Sequence, residues 1–438
     1  MKVLKSNSIS AFGGLNFVIE EFDKKRLGKI LNENLPKLSA QSQYDWKDLL
    51  YSFWSVFFCG GDCAEDLSGN FKPNLSQSPK LKVPSPDRVL NRLKELAEPT
   101  KQFSTKRGSR QHEFAINDKL TELNLIILNH LSDLSRTKVD LDYDNTICYT
   151  EKKDAQYTYK KSLGYIPGVA LVGSNVVYIE NRNGRSNASV LQHETLERMF
   201  EQLENQSIKT NRFRADSASY EFLTIKTIEK YTDKFYVRAR MSSSMDKAIS
   251  SVKDWEIVGE KEDEIYRGEA SFTPFKRAAR DHKMKDKLCA YRYIITKEKR
   301  KDGQINSFTN EACLYSIIVT NDWLSTPDEI VFYYNKRGAI EKEFEVLKYD
   351  FGWQKLPFST LGQNQVYLQI MAICRNLYHY IITLFSKKVK GLKSNYRIKK
   401  FIFRFIAIPA KWVYRSRQWY RRIYGTIDWK TGWLPDAI

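Results

Sequence analysis

The spacing of apolar and polar positions changes character several times along the chain, and each change marks a different kind of element. Up to about residue 100 the spacing is helical: residues 17–31 set Phe17, Ile19, Phe22, Leu27, Ile30 and Leu31 among charges, and residues 44–59 predict a mostly apolar, buried helix. Ser85, Pro86 and Asp87 make a helix start by their chemistry: an N-cap, a first-turn proline and an acid. Residues 118–135 form a further helical stretch through Leu120, Leu123, Ile127 and Leu131. Then the period drops to two. Val139, Leu141 and Tyr143 alternate with Asp140, Asp142 and Asp144, which predicts a strand carrying three carboxylates on one face. Strands at 168–172 and 176–180, a helix at 189–206, a short strand at 212–215, a helix at 220–230 and a strand at 235–240 follow, while 157–159 reads as an edge piece. Strands first and alternation afterwards predict an α/β fold with a mixed five-stranded sheet and flanking helices.

Residues 242–321 interrupt that alternation. They are aromatic and β-rich, at 255–258, 265–272, 288–296 and 312–320, and predict an antiparallel insertion. A single helix is expected over 328–350 and further helices over 363–386. The organisation expected is therefore a helical region at 1–136, a first core part at 137–241, a β-rich insertion domain at 242–326, a second core part at 327–385 and a basic, aromatic segment at 386–438.

Composition narrows the class. With 438 residues, 42% of them hydrophobic, the chain is neither a disulfide-stapled mini-domain nor a disordered one. The greasiest early run, 49–61, is too short to span a bilayer, so a soluble, cytoplasmic protein is expected, with no membrane partner. Only Cys59 and Cys63 among the six cysteines are close in sequence, without the extra Cys or His ligands zinc needs, so the thiols read as reduced. Lys and Arg total 71 against 52 Asp and Glu, a formal charge of +19, which calls for a polyanionic partner. Much of it is concentrated: residues 386–427 hold 13 Lys or Arg and no Asp or Glu. Lys399, Lys400, Arg404, Lys411, Arg415, Arg417, Arg421 and Arg422 are interleaved there with Phe401, Trp412, Trp419 and other aromatics. Cations for phosphates and rings for bases suit DNA, and Pro409 disfavours the rival reading as one amphipathic membrane-surface helix.

Three carboxylates carry the candidate chemistry: Asp144, with Asp142 as the alternative on the same face, Asp216 at the end of a later strand, and Glu341 on the helix after the insertion. Two divalent cations about 4 Å apart need carboxylates converging from separate elements. On an ideal helix Tyr334, Arg337, Glu341 and Lys348 lie within a sector of about 60°. One stripe then offers an acid for metal, two cations for phosphate and a phenol that stacks or hydrogen bonds. The plainer reading is a surface helix with i, i+4 ion pairs, which Gly338 weakens.

The spacing of Tyr334, Arg337, Glu341 and Lys348 resembles the YREK signature of the DDE transposases of bacterial insertion sequences, in the insertion sequence four-like superfamily. LDYDNT at 141–146, GYIPGVALV at 164–172 and FRADSASY at 213–220 resemble that family's aspartate strands and the strand between them. The resemblance covers about 139–425. It implies an RNase H-like catalytic core with Asp144, Asp216 and Glu341 as the acids, Asp144 being preferred because it stands two residues before Thr146. It also implies two Mg²⁺ ions, with Mn²⁺ as a substitute, and Arg337, Lys348 and Tyr334 on the DNA. The activity implied is metal-dependent cleavage at transposon ends and strand transfer into target DNA by a homodimer on double-stranded terminal inverted repeats, in a nucleoid-associated bacterial setting. Asn145 and the Ser-Ala-Ser after Asp216 depart from the familiar pattern without removing a ligand. The alternatives are a nuclease of the same fold without strand transfer, and a catalytically dead DNA-binding remnant.

Overall fold

The computed structural model describes residues 9–69, 71–105, 111–259 and 265–430. Its centre is one mixed sheet of eleven strands among the described residues: β1 (Lys101–Ser104), β2 (Gln111–Ala115), β3 (Val139–Asn145), β4 (Gly168–Val172), β5 (Asn175–Arg182), β6 (Thr210–Ala215), β7 (Thr232–Arg238), β8 (Trp255–Ile257), β9 (Ile265–Phe272), β10 (Tyr291–Lys299) and β11 (Cys313–Thr320). Their order is β1-β2-β5-β4-β3-β6-β7-β11-β10-β9-β8. β3, β4 and β5 are antiparallel neighbours, whereas β6 and β7 join β3 in parallel, as the helices that intervene require.

The middle of this sheet is the five-stranded unit expected from the alternation, but the sheet does not stop there. The insertion strands make no separate sheet: β11 pairs antiparallel with β7, Tyr236 facing Thr320 and Arg238 facing Ile318. β7 would otherwise be an edge with unpaired backbone groups, and the insertion satisfies them. At the other end β2 pairs with β5 through Phe114 and Arg182. β1 and β2 lie within the region at 1–136 expected to be helical.

Helices cover both faces. On one face α1 (Trp46–Phe58), α2 (Asp118–Ser132) and the long α7 (Leu361–Lys388) share a core with β4 and β5. α1 starts at Asp45, whose side chain accepts from the Asp48 amide, and its buried Trp54 donates to the Ile370 carbonyl of α7 at 3.2 Å. The N-terminal helices thus have no core of their own. Amide side chains sew the layers together, Asn376 of α7 bonding Asn124 of α2 and the Val176 backbone of β5. On the other face α3 (Gln192–Asn205) and α4 (Phe222–Tyr231) bury Leu196, Phe200, Ile225 and Ile228 with Tyr143, Phe213 and Val237.

One expected helix is broken and another is tightened at its middle. Residues 17–31 divide into Leu15–Lys24 and Leu27–Asn34, because Arg26 adopts a left-handed conformation, φ 52°. Residues 327–350 divide into α5 (Pro327–Asn335) and α6 (Ala339–Asp350), separated by a tighter 3-10 turn at Lys336–Gly338. In the C-terminal segment residues 398–406 are helical, and β12 (Ala410–Arg415) and β13 (Gln418–Ile423) form a hairpin bridged to the N-terminal region by Ser10 and Ala410. No helix among the described residues is long and apolar enough to cross a membrane.

Candidate active site

Parallel pairing of β3 with β6 sets Asp140 opposite Arg212, Asp142 opposite Arg214 and Tyr143 opposite Ala215. The separation is constant: 212 − 140, 214 − 142 and 216 − 144 all equal 72. Side chains two apart on a strand share a face, so carboxylates on β3 meet successive partners on β6. Asp140 accepts from Arg212 Nε at 3.0 Å, and Asp142 is held bidentately by Arg214 at 2.6 and 2.7 Å. Tyr333 lies over both guanidiniums, 4.0 and 4.4 Å from its ring centre, and its carbonyl accepts from Arg214. At the third step the pattern changes. The residue that follows β6 is Asp216, so where its predecessors face arginines Asp144 has a carboxylate as its next neighbour in the row, close enough to act on its charge.

The electrostatics follow from that change. Burial, then the neighbouring Asp216, push the Asp144 carboxyl up to about 6, against the pull of Arg337. Arg337 Nη1 lies 2.8 Å from Asp144 Oδ2, and the Asn145 amide donates to Asp144 Oδ1 at 2.8 Å. Asp216 is half-buried and caps the short turn after β6, its Oδ1 accepting from the Ala218 amide at 2.9 Å. Carboxylates from two neighbouring elements, one of them paired with a guanidinium, are the kind of oxygen donor a hard divalent ion takes.

The four residues expected on one stripe fall in different environments along this run, with Tyr334 on α5, Arg337 in the 3-10 turn, and Glu341 and Lys348 on α6. Tyr334 is buried, its hydroxyl donating to the Ala215 carbonyl at 3.3 Å, so it locks α5 onto the end of β6 one residue before Asp216. Arg337 sits in the tight turn and reaches Asp144. Glu341 is exposed in the first turn of α6, with no hydrogen bond or ion pair among the described residues. Lys348, further along α6, is half-buried on the side of Cys148, whose thiol it pulls downward against the larger effect of burial. The site therefore brings Asp144, Asp216 and Arg337 together; its carboxylates do not form a group of three with ligand atoms within 4.8 Å. Among the described residues such a group is made by Asp62, Cys63 and Asp66, where Asp66 caps the local backbone and Asp62 pairs with Lys355.

The basic segment divides by environment. Lys399, Lys400, Arg404, Arg415, Arg417 and Arg422 are exposed and Lys411 is half-buried. Arg421 is turned inward: it stacks 3.8 Å from the centre of Phe17 and pairs with Glu20 at 3.1 Å, with its side chain 12% exposed. Its place is structural, holding the hairpin to the first helix, because a cation there neutralises an acid and covers a ring. Arg212, Arg214 and Tyr333 stand out only once the strands are paired. Their signal is nevertheless present in the sequence, since arginines at 212 and 214 repeat the two-residue spacing of the aspartates at 140 and 142.

A family model described as "Transposase DDE domain group 1" matches residues 6–427. Among solved structures, the cryo-EM structure of the piggyBac transposase synaptic complex with hairpin DNA is similar at 14% identity and a TM-score of 0.44, over 87% of this chain and 75% of that chain. No curated protein matches.

Proposed function

The chain belongs to the DDE transposases, the family whose model spans residues 6–427, and from that premise we propose that Asp144, Asp216 and Glu341 are its three acids. As a transposase it is an enzyme acting on DNA. The observation that carries the assignment is that Asp144, next in line after a row of aspartate–arginine pairs, feels the Asp216 carboxylate just past the end of β6. The same register favours Asp144 over Asp142, whose two oxygens are already taken by Arg214. The order β5-β4-β3-β6-β7, antiparallel and then parallel, supports an RNase H-like reading of the core. The Tyr334, Arg337, Glu341 and Lys348 spacing supports a place in the insertion sequence four-like superfamily with the YREK signature.

Asp144 and Asp216 would hold divalent metal, Mg²⁺ or Mn²⁺, with Glu341 as the further ligand. Such ions supply a lowered pKa for an attacking hydroxyl and neutralise charge on a leaving oxygen. The residues of the chain then have separate tasks. Arg337 lies against Asp144, and its planar fork can be drawn from that carboxylate to a phosphodiester, whose oxygens it matches equally well. Tyr334 fixes the height of α5 above β6 and so the position of Arg337. Lys348 adds a second positive charge on α6. Exposed Lys399, Lys400, Arg404, Arg415, Arg417 and Arg422 neutralise backbone phosphates of double-stranded DNA further out. Cleavage at both transposon ends and strand transfer by one kind of centre then accounts for cut-and-paste transposition, by a homodimer that grips both ends, at the nucleoid of a bacterial cell.

The test uses purified full-length chain and a plasmid bearing its gene with flanking DNA. Mg²⁺-dependent cuts on both sides of the gene are expected, together with joining of a pre-cut end to a second plasmid. Asp144→Asn and Glu341→Ala should bind the ends yet not cut. Undiminished cutting by either variant would refute the assignment, and cutting without joining would identify a nuclease instead.

A further inference from the structure

Directly after β3 the chain builds a small sheet from Cys148–Tyr149, Leu163–Tyr165 and Gln156–Tyr157. This flap presents three tyrosines to solvent: Tyr149, Tyr157 and Tyr159 are 52%, 65% and 62% exposed. One exposed ring needs no explanation; three within eleven residues beside a reaction centre do. Looseness does not explain them, because the flap is tied down along its length. The Thr150 amide donates to the Leu163 carbonyl at 3.2 Å, and the Thr158 amide to the Ser162 carbonyl at 2.9 Å. Its turn is closed by Lys161 in the left-handed region, φ 59°. Beneath it Gly184 approaches so closely that a side chain there would stand 2.0 Å from the Gln156 carbonyl oxygen. The Tyr165 hydroxyl donates to Asp154, whose other oxygen accepts from the Leu361 amide at 2.6 Å, fastening the flap to the start of α7.

The surroundings indicate what the rings face. The loop holds Lys152, Lys153, Lys160 and Lys161 against Glu151 and the inward-tied Asp154, and Lys160 Nζ lies 5.6 Å from the centre of Tyr159. After burial, the groups that most oppose ionisation of the Tyr159 phenol are Tyr149, Asp144 and Asp216. Tyr159 is therefore within electrostatic reach both of another flap ring and of the carboxylate pair. Exposed rings on a tied backbone with lysines between them, next to the proposed DNA-processing centre, match the chemistry of an unpaired strand: every base offers a π-face once it leaves the duplex, and each phosphate needs a cation.

We infer that the flap is a stacking platform on which Tyr149 and Tyr159 take unpaired nucleotides of the DNA end next to the carboxylate pair, with Tyr157 and the loop lysines following the strand outward. This rests on the proposed transposase centre for its location. The probe is a short duplex with a single-stranded 3′ overhang containing 2-aminopurine, compared with a blunt duplex of equal length, in EDTA so that no cutting intervenes. Full-length wild-type chain should quench the 2-aminopurine and prefer the overhang. Tyr159→Ala and Tyr149→Ala should each lose quenching and weaken overhang binding roughly tenfold, with blunt binding unchanged. Tyr159→Phe, which keeps the ring, should restore both. Unchanged quenching in the Tyr149→Ala, Tyr159→Ala double variant would overturn the inference, as would an equal weakening on blunt DNA. Because the readout is metal-free, a wild-type chain that quenches but never cuts would sink the catalytic reading and leave the platform standing.

Discussion

Asp144→Asn should make the protein more stable while, on the proposed assignment, abolishing DNA cutting. The Asp144 carboxyl is raised from 3.8 to about 6 by burial and by Asp216, with its side chain only 15% exposed. Between those two values the folded state binds a proton that the unfolded state does not. Stability therefore falls as pH rises from about 4 through about 6, and the whole cost is present above that. At about 1.4 kcal/mol per pH unit the cost comes to about 3 kcal/mol. Asparagine imitates the neutral acid and should recover most of it. Asp142→Asn is the control: burial raises the Asp142 carboxyl as well, but both its oxygens are bonded to Arg214, and leaving that buried guanidinium uncompensated should outweigh the relief and cost about 3 kcal/mol or more. Denaturant midpoints at pH 8 and at pH 4.5 measure both. The gain from Asp144→Asn should be largest at pH 8 and shrink at pH 4.5. A drop in stability at pH 8 comparable to that of Asp142→Asn would show that Asp144 is a satisfied structural acid, and the reasoning would fail.

Other outcomes follow from the same geometry. Arg337→Ala removes the cation opposing Asp216 at Asp144, so the lower pH limit of Mn²⁺ binding, followed calorimetrically, should move upward from about 6; an unmoved limit would contradict the pairing. Arg415→Ala and Arg417→Ala at the hairpin tip should leave the melting temperature alone and lower the slope of log affinity against log salt by about 1 for each phosphate no longer neutralised. Arg421→Ala should do the reverse, lowering the melting temperature because its stacking on Phe17 and its pairing with Glu20 disappear, while changing the salt slope little. Equal salt slopes for the tip and base variants would deny the division of the hairpin.

Elements with a strong period were legible: the strand of Asp140, Asp142 and Asp144, the helices between the later strands, and the cap at Ser85, whose side chain accepts from the Arg88 amide. Pairing over long separations was not. Nothing local in residues 313–320 says that they join β7 rather than close a separate domain, because the choice is made by which edge is left bare. The tighter turn between α5 and α6 escaped because Lys336, Arg337 and Gly338 are compatible with both an α-helix and a 3-10 turn, and the hydrogen bonds that Tyr334 and Arg337 make to Ala215 and Asp144 are long-range. For the proposed site, residue types and strand ends raised Asp144, Asp142 and Asp216 as candidates, but the row of arginines that favours Asp144 over Asp142 needs the register. The orientation of Arg421 likewise depends on a ring and an acid about four hundred positions away.

The seam between β7 and β11 also bears on modularity. Residues 242–326 interrupt the chain like a cassette, yet cutting them out and splicing the ends would not return a simpler ancestor-like core. It would unzip one side of a buried strand, leaving the amides and carbonyls around Tyr236–Arg238 without partners and the Tyr236 side chain without Asp322, which accepts its hydroxyl at 2.7 Å. Trimmed versions of this protein should therefore precipitate as joined edges rather than behave as miniature enzymes.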